Sequence, residues 1–180
     1  MKQLTKSESV FRNAEFIWIR GMEDTVNAYV DFHETIEKKP GAEYLLYITA
    51  DSDYALTVNG VFCEGGQYAD YPDEYKVYDT LDITDFLRDG SNEITVTGYC
   101  QKEDSSTYRR GTSGVMYAFT ENGQVILTSG THTRANQNPY YMSGPVSRVS
   151  GQLSFSFEYS FTGKDVSAGE TVVTRTFDTL

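Results

Sequence analysis

Cysteine is nearly absent from this chain: its 180 residues include two, Cys63 and Cys100. Two thiols are too few for a disulfide framework and too far apart for a short metal-type spacing. Two reduced core thiols are the expected reading, with a single bridge between neighbouring strands as the alternative. Positive charge is also short, at 15 Lys and Arg against 26 Asp and Glu, a formal net charge of −11. Beyond Arg109-Arg110 no basic cluster exists, so a phosphate-rich partner is repelled and nucleic acid is excluded. No apolar run approaches membrane-spanning length, and the opening MKQLTKSESV has no apolar core of a secretion signal. The chain is therefore expected to be cytoplasmic and free of the membrane.

Catalytic signatures are missing as well. There is no G-x-S-x-G, no phosphate-cradling glycine loop and no Cys-His pair of the kind that makes a nucleophile. The two histidines, His33 and His132, lack ligand-like spacing and read as surface or internally satisfied imidazoles. Asp51-Ser52-Asp53 looks like the opening of a calcium loop but lacks the glycine and the distant glutamate. Glycoside hydrolysis needs two carboxylates about 5–10 Å apart. With 26 acidic residues some pair meets that by chance, so acidity says nothing about catalysis.

What the chain has is aromatic residues and alternation. Hydrophobic residues make up 39% and charged ones 23%, which places it among globular chains long enough to bury a core in one domain. Fourteen tyrosines and ten phenylalanines accompany a single tryptophan. Tyrosine suits a half-buried pleated surface, so its abundance favours β structure first.

The pattern predicts about ten short strands. Residues 16–19 are a short aromatic and β-branched run. Over 28–36, Val30, Phe32 and Ile36 share one face, while Tyr29, Asp31, His33 and Thr35 share the other. Strands follow at 44–50 and 54–58, around Leu81, and at 94–100, 115–120, 125–128 and 171–177. Asn59-Gly60 and Asn122-Gly123 are hairpin turns, because both residues tolerate positive φ. Residues 153–161 form the cleanest alternation: Leu153, Phe155, Phe157, Tyr159 and Phe161 are expected on a core, with serines and Glu158 in water. One short helical turn is expected after Thr84 as its cap, stopped by Gly90. Segments 61–75, 101–113 and 129–147 read as long loops. The fold class is all-β, a jelly-roll β-sandwich spanning 15–180 behind a flexible lead-in at 1–14.

Several short patterns occur in a fixed order. Trp18 precedes Asn27, Tyr29 and Phe32 as W…N-x-Y-x-x-F. Ala50-Asp51-Ser52 runs through Tyr54 and Leu56 to Asn59-Gly60. Tyr71-Pro72, Tyr78-Asp79 and Leu81-Asp82-Ile83-Thr84 follow, with Leu87, Gly90 and Asn92; Arg148, Gln152, Phe155 and Glu158 close the series. This series resembles the galactose-binding-like N-terminal β-sandwich domain of bacterial α-L-rhamnosidases. His33 stands where that family usually has arginine, and Gly65-Gly66 where it has Gly-Pro. The D-I-T…L-x-x-G-x-N element is shared with the N-terminal jelly rolls of β-galactosidases and β-glucuronidases.

The resemblance implies an accessory domain that assists recognition of rhamnosyl substrates and carries no catalytic residues. The catalytic acids of those enzymes lie in a helical (α/α)-barrel further along the polypeptide, the implied partner. No cofactor is implied, although such jelly rolls often hold a structural calcium ion through loop carboxylates. With no linker-like tail after Phe177, the chain reads as a piece of a longer protein. A pyranose needs an aromatic platform for its C–H face and planar polar groups for its hydroxyls, and the three loops supply both. The candidate carbohydrate-binding residues are Gln67, Tyr68, Asp70, Tyr71, Tyr108, Arg109, Asn136 and Tyr140. The competing expectation is a scaffold that binds no sugar and docks on the catalytic domain or pairs as a homodimer. A third is the sugar-binding domain of a β-galactosidase-type enzyme.

Overall fold

Alternating apolar residues need a partner layer, and here two sheets supply it for each other. A computed structural model of the chain describes residue 6 and residues 9–68 and 76–177. The strands are β1 (Phe16–Ile19), β2 (Ala28–Lys38), β3 (Tyr44–Ala50), β4 (Asp53–Val58), β5 (Val61–Gln67), β6 (Asp79–Asp82), β7 (Gly90–Cys100), β8 (Val115–Glu121), β9 (Gln124–Thr128), β10 (Arg134–Gln137), β11 (Ala168–Gly169) and β12 (Thr171–Arg175). One antiparallel sheet runs β12-β1-β8-β3-β6, with β9 also on β8; the other runs β11-β10-β2-β7-β4-β5. The result is an all-β sandwich of two six-stranded sheets.

Between them lie the inward residues of the alternating strands. Val30, Phe32 and Ile36 of β2, Leu56 and Val58 of β4, and Ile94 and Val96 of β7 meet Trp18, Leu46, Ile48, Tyr117 and Phe119. Trp18 packs on Phe32 at 5.9 Å between ring centres. Gly98 lies under it, where an added Cβ would stand 2.9 Å from the indole and 2.8 Å from Val115. Glycine is required there by that close approach.

Both Asn-Gly turns form as expected. Asn59 and Gly60 have φ of 51° and 77°, and Asn122 and Gly123 have φ of 48° and 78°. Asn92 holds the strand entry beside them: its Nδ2 donates to the carbonyls of Arg88 at 2.7 Å and Gly90 at 2.8 Å, and its Oδ1 accepts from Arg88 N and Asn59 Nδ2. The helical turn is a three-residue 3₁₀ segment, Thr84–Phe86. Thr84 is not its cap. Asp82 Oδ1 accepts from the Thr84 amide at 3.0 Å, and the Thr84 hydroxyl accepts from Tyr44 N, tying the turn to β3.

Three expectations change. First, packing begins before residue 15: Phe11 and Ala14 are buried with Phe16, Met116 and Ala118 on the outer face of β8. That cover explains why β8 is buried on both faces over Val115–Thr120. Second, the long loops contain strands. β5 completes the hairpin after Asn59-Gly60, with a register shift at Leu56/Thr57 and two glycines that conceal its alternation. β10 is the polar run RANQ, paired on β2.

Third, residues 153–161 are not a core strand. They make only isolated bridges, Tyr141 to Tyr159 and Arg148 to Phe155, in an irregular antiparallel flap. No close-packed layer among the described residues buries their apolar side. Leu153 is 50% exposed, Phe157 68% and Phe161 92%. Period two sets which side chains share a face, but it does not supply the layer that buries them.

Candidate functional site

Four of the sequence candidates meet at one corner of the sandwich. Gln67 ends β5 and Tyr68 follows it; their φ angles, 119° and 36°, turn the chain there. The Tyr68 hydroxyl accepts from the Arg109 amide at 2.7 Å, and its ring lies 5.1 Å from that of Tyr108. Gln67 Oε1 accepts from Ala50 N at 2.9 Å, and its Nε2 donates to Asp79 at 3.3 Å. Tyr108 is buried, and its hydroxyl donates to Asp51 Oδ2 while accepting from Gly111 N.

Asp51 is the hub of this corner. Its Oδ2 also accepts from the Cys100 thiol at 3.1 Å, and the same sulfur lies 3.0 Å from the Ser113 hydroxyl. Burial pushes the Asp51 carboxyl up, against the pull of the Tyr108 and Cys100 hydrogen bonds and of the Lys76 and Lys102 charges. Burial likewise raises the Cys100 thiol and the Tyr108 phenol, with Asp51 adding to both. Both cysteines are free. Polar groups here satisfy one another, which is the arrangement of a structural network.

The other candidates separate. Asn136 lies on β10, its Oδ1 accepting from His33 Nε2 at 2.6 Å. Tyr140 belongs to the flap and stacks on Tyr159 at 5.8 Å. Asp70 and Tyr71 lie outside the described residues. The eight candidates therefore do not form one described site. Among the described residues no three His, Cys, Asp or Glu side chains converge as a metal cluster.

A different constellation lies on the outer face of the β2–β7–β4 sheet. Cross-strand pairing sets Tyr29 opposite Tyr99, with ring centres 4.7 Å apart. Tyr141 from the flap stacks on Tyr29, also at 4.7 Å. Phe155 and Phe157 of the flap, with Ser154, line the opposite side of an open cleft of about 340 Å³, which Asp53, Ala55 and Thr97 also line. Arg148 steadies that side: its guanidinium sits 5.2 Å from the Phe155 ring and pairs with Glu103 at 2.7 Å. Burial pushes the Tyr29 phenol up to about 12 and raises that of Tyr99. Asp53 remains exposed at the rim, yet desolvation by its surroundings and the nearby Asp51 charge raise its pKa.

Sequence reasoning missed this cleft because its residues come from β2, β4, β7 and the flap. One clue was legible: Tyr29 falls on the outward face of the β2 alternation.

The fold and this site define a small β-sandwich domain with an aromatic outer face. No family model and no curated protein sequence matches the chain. Solved structures do. The GH78 family rhamnosidase of Bacillus sp. GL1 matches with a TM-score of 0.75 and 26% identity, over 84% of this chain and 16% of that enzyme. The α-L-rhamnosidase of Aspergillus terreus matches with a TM-score of 0.65 and 19% identity, over 96% of this chain and 22% of that enzyme. The α-L-rhamnosidase of Streptomyces avermitilis matches at 0.51 and 15%, over 88% and 15%. The chain thus resembles a non-catalytic portion, of N-terminal-domain size, of the α-L-rhamnosidases. It spans between 15% and 22% of the length of these enzymes.

Proposed function

We propose that this chain is the accessory domain of a larger α-L-rhamnosidase-like glycoside hydrolase, and that it acts by docking its aromatic flap on the catalytic part. One observation carries the reading: the most regular apolar alternation in the chain is left largely exposed. Leu153, Tyr159 and Phe161 are exposed, and Tyr140, Met142 and Val149 extend the patch on the same flap. Apolar surface of this kind marks an interaction site. The net charge of −11 works against a second copy as the occupant. The similar enzymes are several times longer than this chain, which favours the remainder of such a polypeptide.

The alternative, recognition of rhamnosyl groups by the loops, has less support. Gln67, Tyr68 and Tyr108 already use their polar groups within the corner around Asp51. By itself the chain is expected to release nothing from an aryl α-L-rhamnoside, and turnover would overturn its accessory role.

Docking is tested on the double variant Leu153→Ser, Phe161→Ser. The unsubstituted chain should bind a hydrophobic dye and self-associate weakly at high concentration. The variant should lose both properties and melt at the same temperature. Identical dye binding and sedimentation for the two proteins would sink the docking role. A discrete, tight dimer would reassign the face to a second copy.

A further inference from the structure

The cleft on the outer face of the β2–β7–β4 sheet has a chemistry that the docking flap does not need. Its base is a stack of three tyrosines, Tyr99, Tyr29 and Tyr141, and its far wall is Phe155 and Phe157. Above the rings the polar groups are unengaged. The hydroxyls of Tyr29, Tyr99 and Tyr141 make no hydrogen bond with a described residue, in contrast to those of Tyr68 and Tyr108 at the Asp51 corner. The Asp53 carboxylate likewise has no hydrogen bond and no ion pair with a described residue, although desolvation and the nearby Asp51 charge raise its pKa. The Ser154 hydroxyl is free too.

Aromatic faces flanked by an idle carboxylate acceptor and idle hydroxyl donors suit one kind of ligand. It must present an apolar C–H face and a rim of hydroxyl groups, which is the surface of a pyranoside. An extended peptide would instead seek backbone partners at a free sheet edge, and the strands under the cleft are all paired on both sides. Asp53 and the net charge of −11 disfavour an anionic sugar. From this juxtaposition we infer that the cleft is a binding site for a neutral pyranoside, with Tyr99 and Tyr141 as stacking platforms and Asp53 as hydroxyl acceptor. The site is distinct from the loop residues at the Asp51 corner. Its wall belongs to the flap, but it does not require the flap to dock.

The experiment is an NMR titration of the full chain with methyl α-L-rhamnopyranoside, methyl β-D-galactopyranoside and D-glucuronate, each to tens of millimolar. A small ligand in an open cleft should bind with a dissociation constant on the order of millimolar. At least one neutral glycoside should shift the amides of Tyr29, Asp53, Ala55 and Tyr99 saturably, and glucuronate should not. Asp53→Asn and Tyr99→Ala should each weaken binding about tenfold, as expected for losing a charge-assisted hydrogen bond or a stacking face. Neither side chain holds the core, so both variants should fold.

Arg109→Ala should leave binding unchanged, and so should Leu153→Ser, Phe161→Ser. Binding that survives in that double variant separates this site from the docking face, whichever way the docking test falls. No saturable shift with either neutral glycoside would overturn the inference. So would shifts centred on Tyr68 and Arg109, or glucuronate binding as well as the neutral sugars.

Discussion

Two groups of tyrosines on this domain look alike in sequence and differ in what their hydroxyls do. Tyr68 and Tyr108 sit in the loops that carry the obvious sugar-binding composition, yet each phenol is bonded, one by the Arg109 amide and the other to Asp51. Tyr29, Tyr99 and Tyr141 come from two strands and the flap, and their phenols make no hydrogen bond with a described residue. The lesson is that residue type marks candidates, while hydrogen-bond satisfaction separates structural tyrosines from those left for a ligand or partner.

The widest gap between the groups should appear in stability. Truncating Tyr108 to alanine removes a buried ring and strips a donor from a buried carboxylate, and should cost about 3–5 kcal/mol in chemical denaturation. Tyr108→Phe keeps the ring and loses the hydroxyl's bonds to Asp51 and from Gly111 N, for about 2–3 kcal/mol. The matching change on the other side, Tyr99→Phe, removes a hydroxyl with no partner and should stay within about 0.5 kcal/mol. Equal effects for Tyr108→Phe and Tyr99→Phe would erase the distinction.

A second contrast is in pH dependence. The Asp51 carboxyl is raised from 3.8 in the folded protein, chiefly by burial. The folded state therefore holds this proton more tightly than the unfolded chain does. Its contribution is fully present below 3.8 and is lost as pH rises through the elevated folded value. Asp51→Asn should flatten that part of the melting-temperature profile. Exposed Glu170, lowered by its hydrogen bond to Arg20, has the opposite sign: its contribution is present above 4.5 and is lost as pH falls through the depressed folded value. A profile unchanged by Asp51→Asn would remove Asp51 as its source.

These contrasts also show what the sequence could disclose. The strands with alternating faces and both Asn-Gly turns were legible, because each depends on local backbone chemistry. The polar strand β10 was not, since RANQ carries no period and is held by pairing with β2 and β11. Asp51 read as an incipient calcium loop because its partners, Tyr108 and Cys100, are distant in sequence. The cleft was hidden for the same reason. Residues 153–161 misled in the other direction: the alternation was real, but no close-packed layer among the described residues buries it.

The smallest expected effect on stability is the most diagnostic for that flap. Phe161 is 92% exposed and meets the Tyr159 ring in a T-shaped arrangement, at 5.2 Å between centres. Phe161→Ser should shift stability by no more than about 0.5 kcal/mol, as surface substitutions do. Phe32→Ser is the control, because Phe32 is fully buried against Trp18 and leaves both a cavity and an unpaired hydroxyl. That control should cost several-fold more, at about 3–5 kcal/mol. If Phe161→Ser instead destabilised the chain as Phe32→Ser does, residues 153–161 would be folding onto the core in solution. The exposed face would then vanish, and with it the case for docking, while the cleft between Tyr99 and Phe155 would have to close.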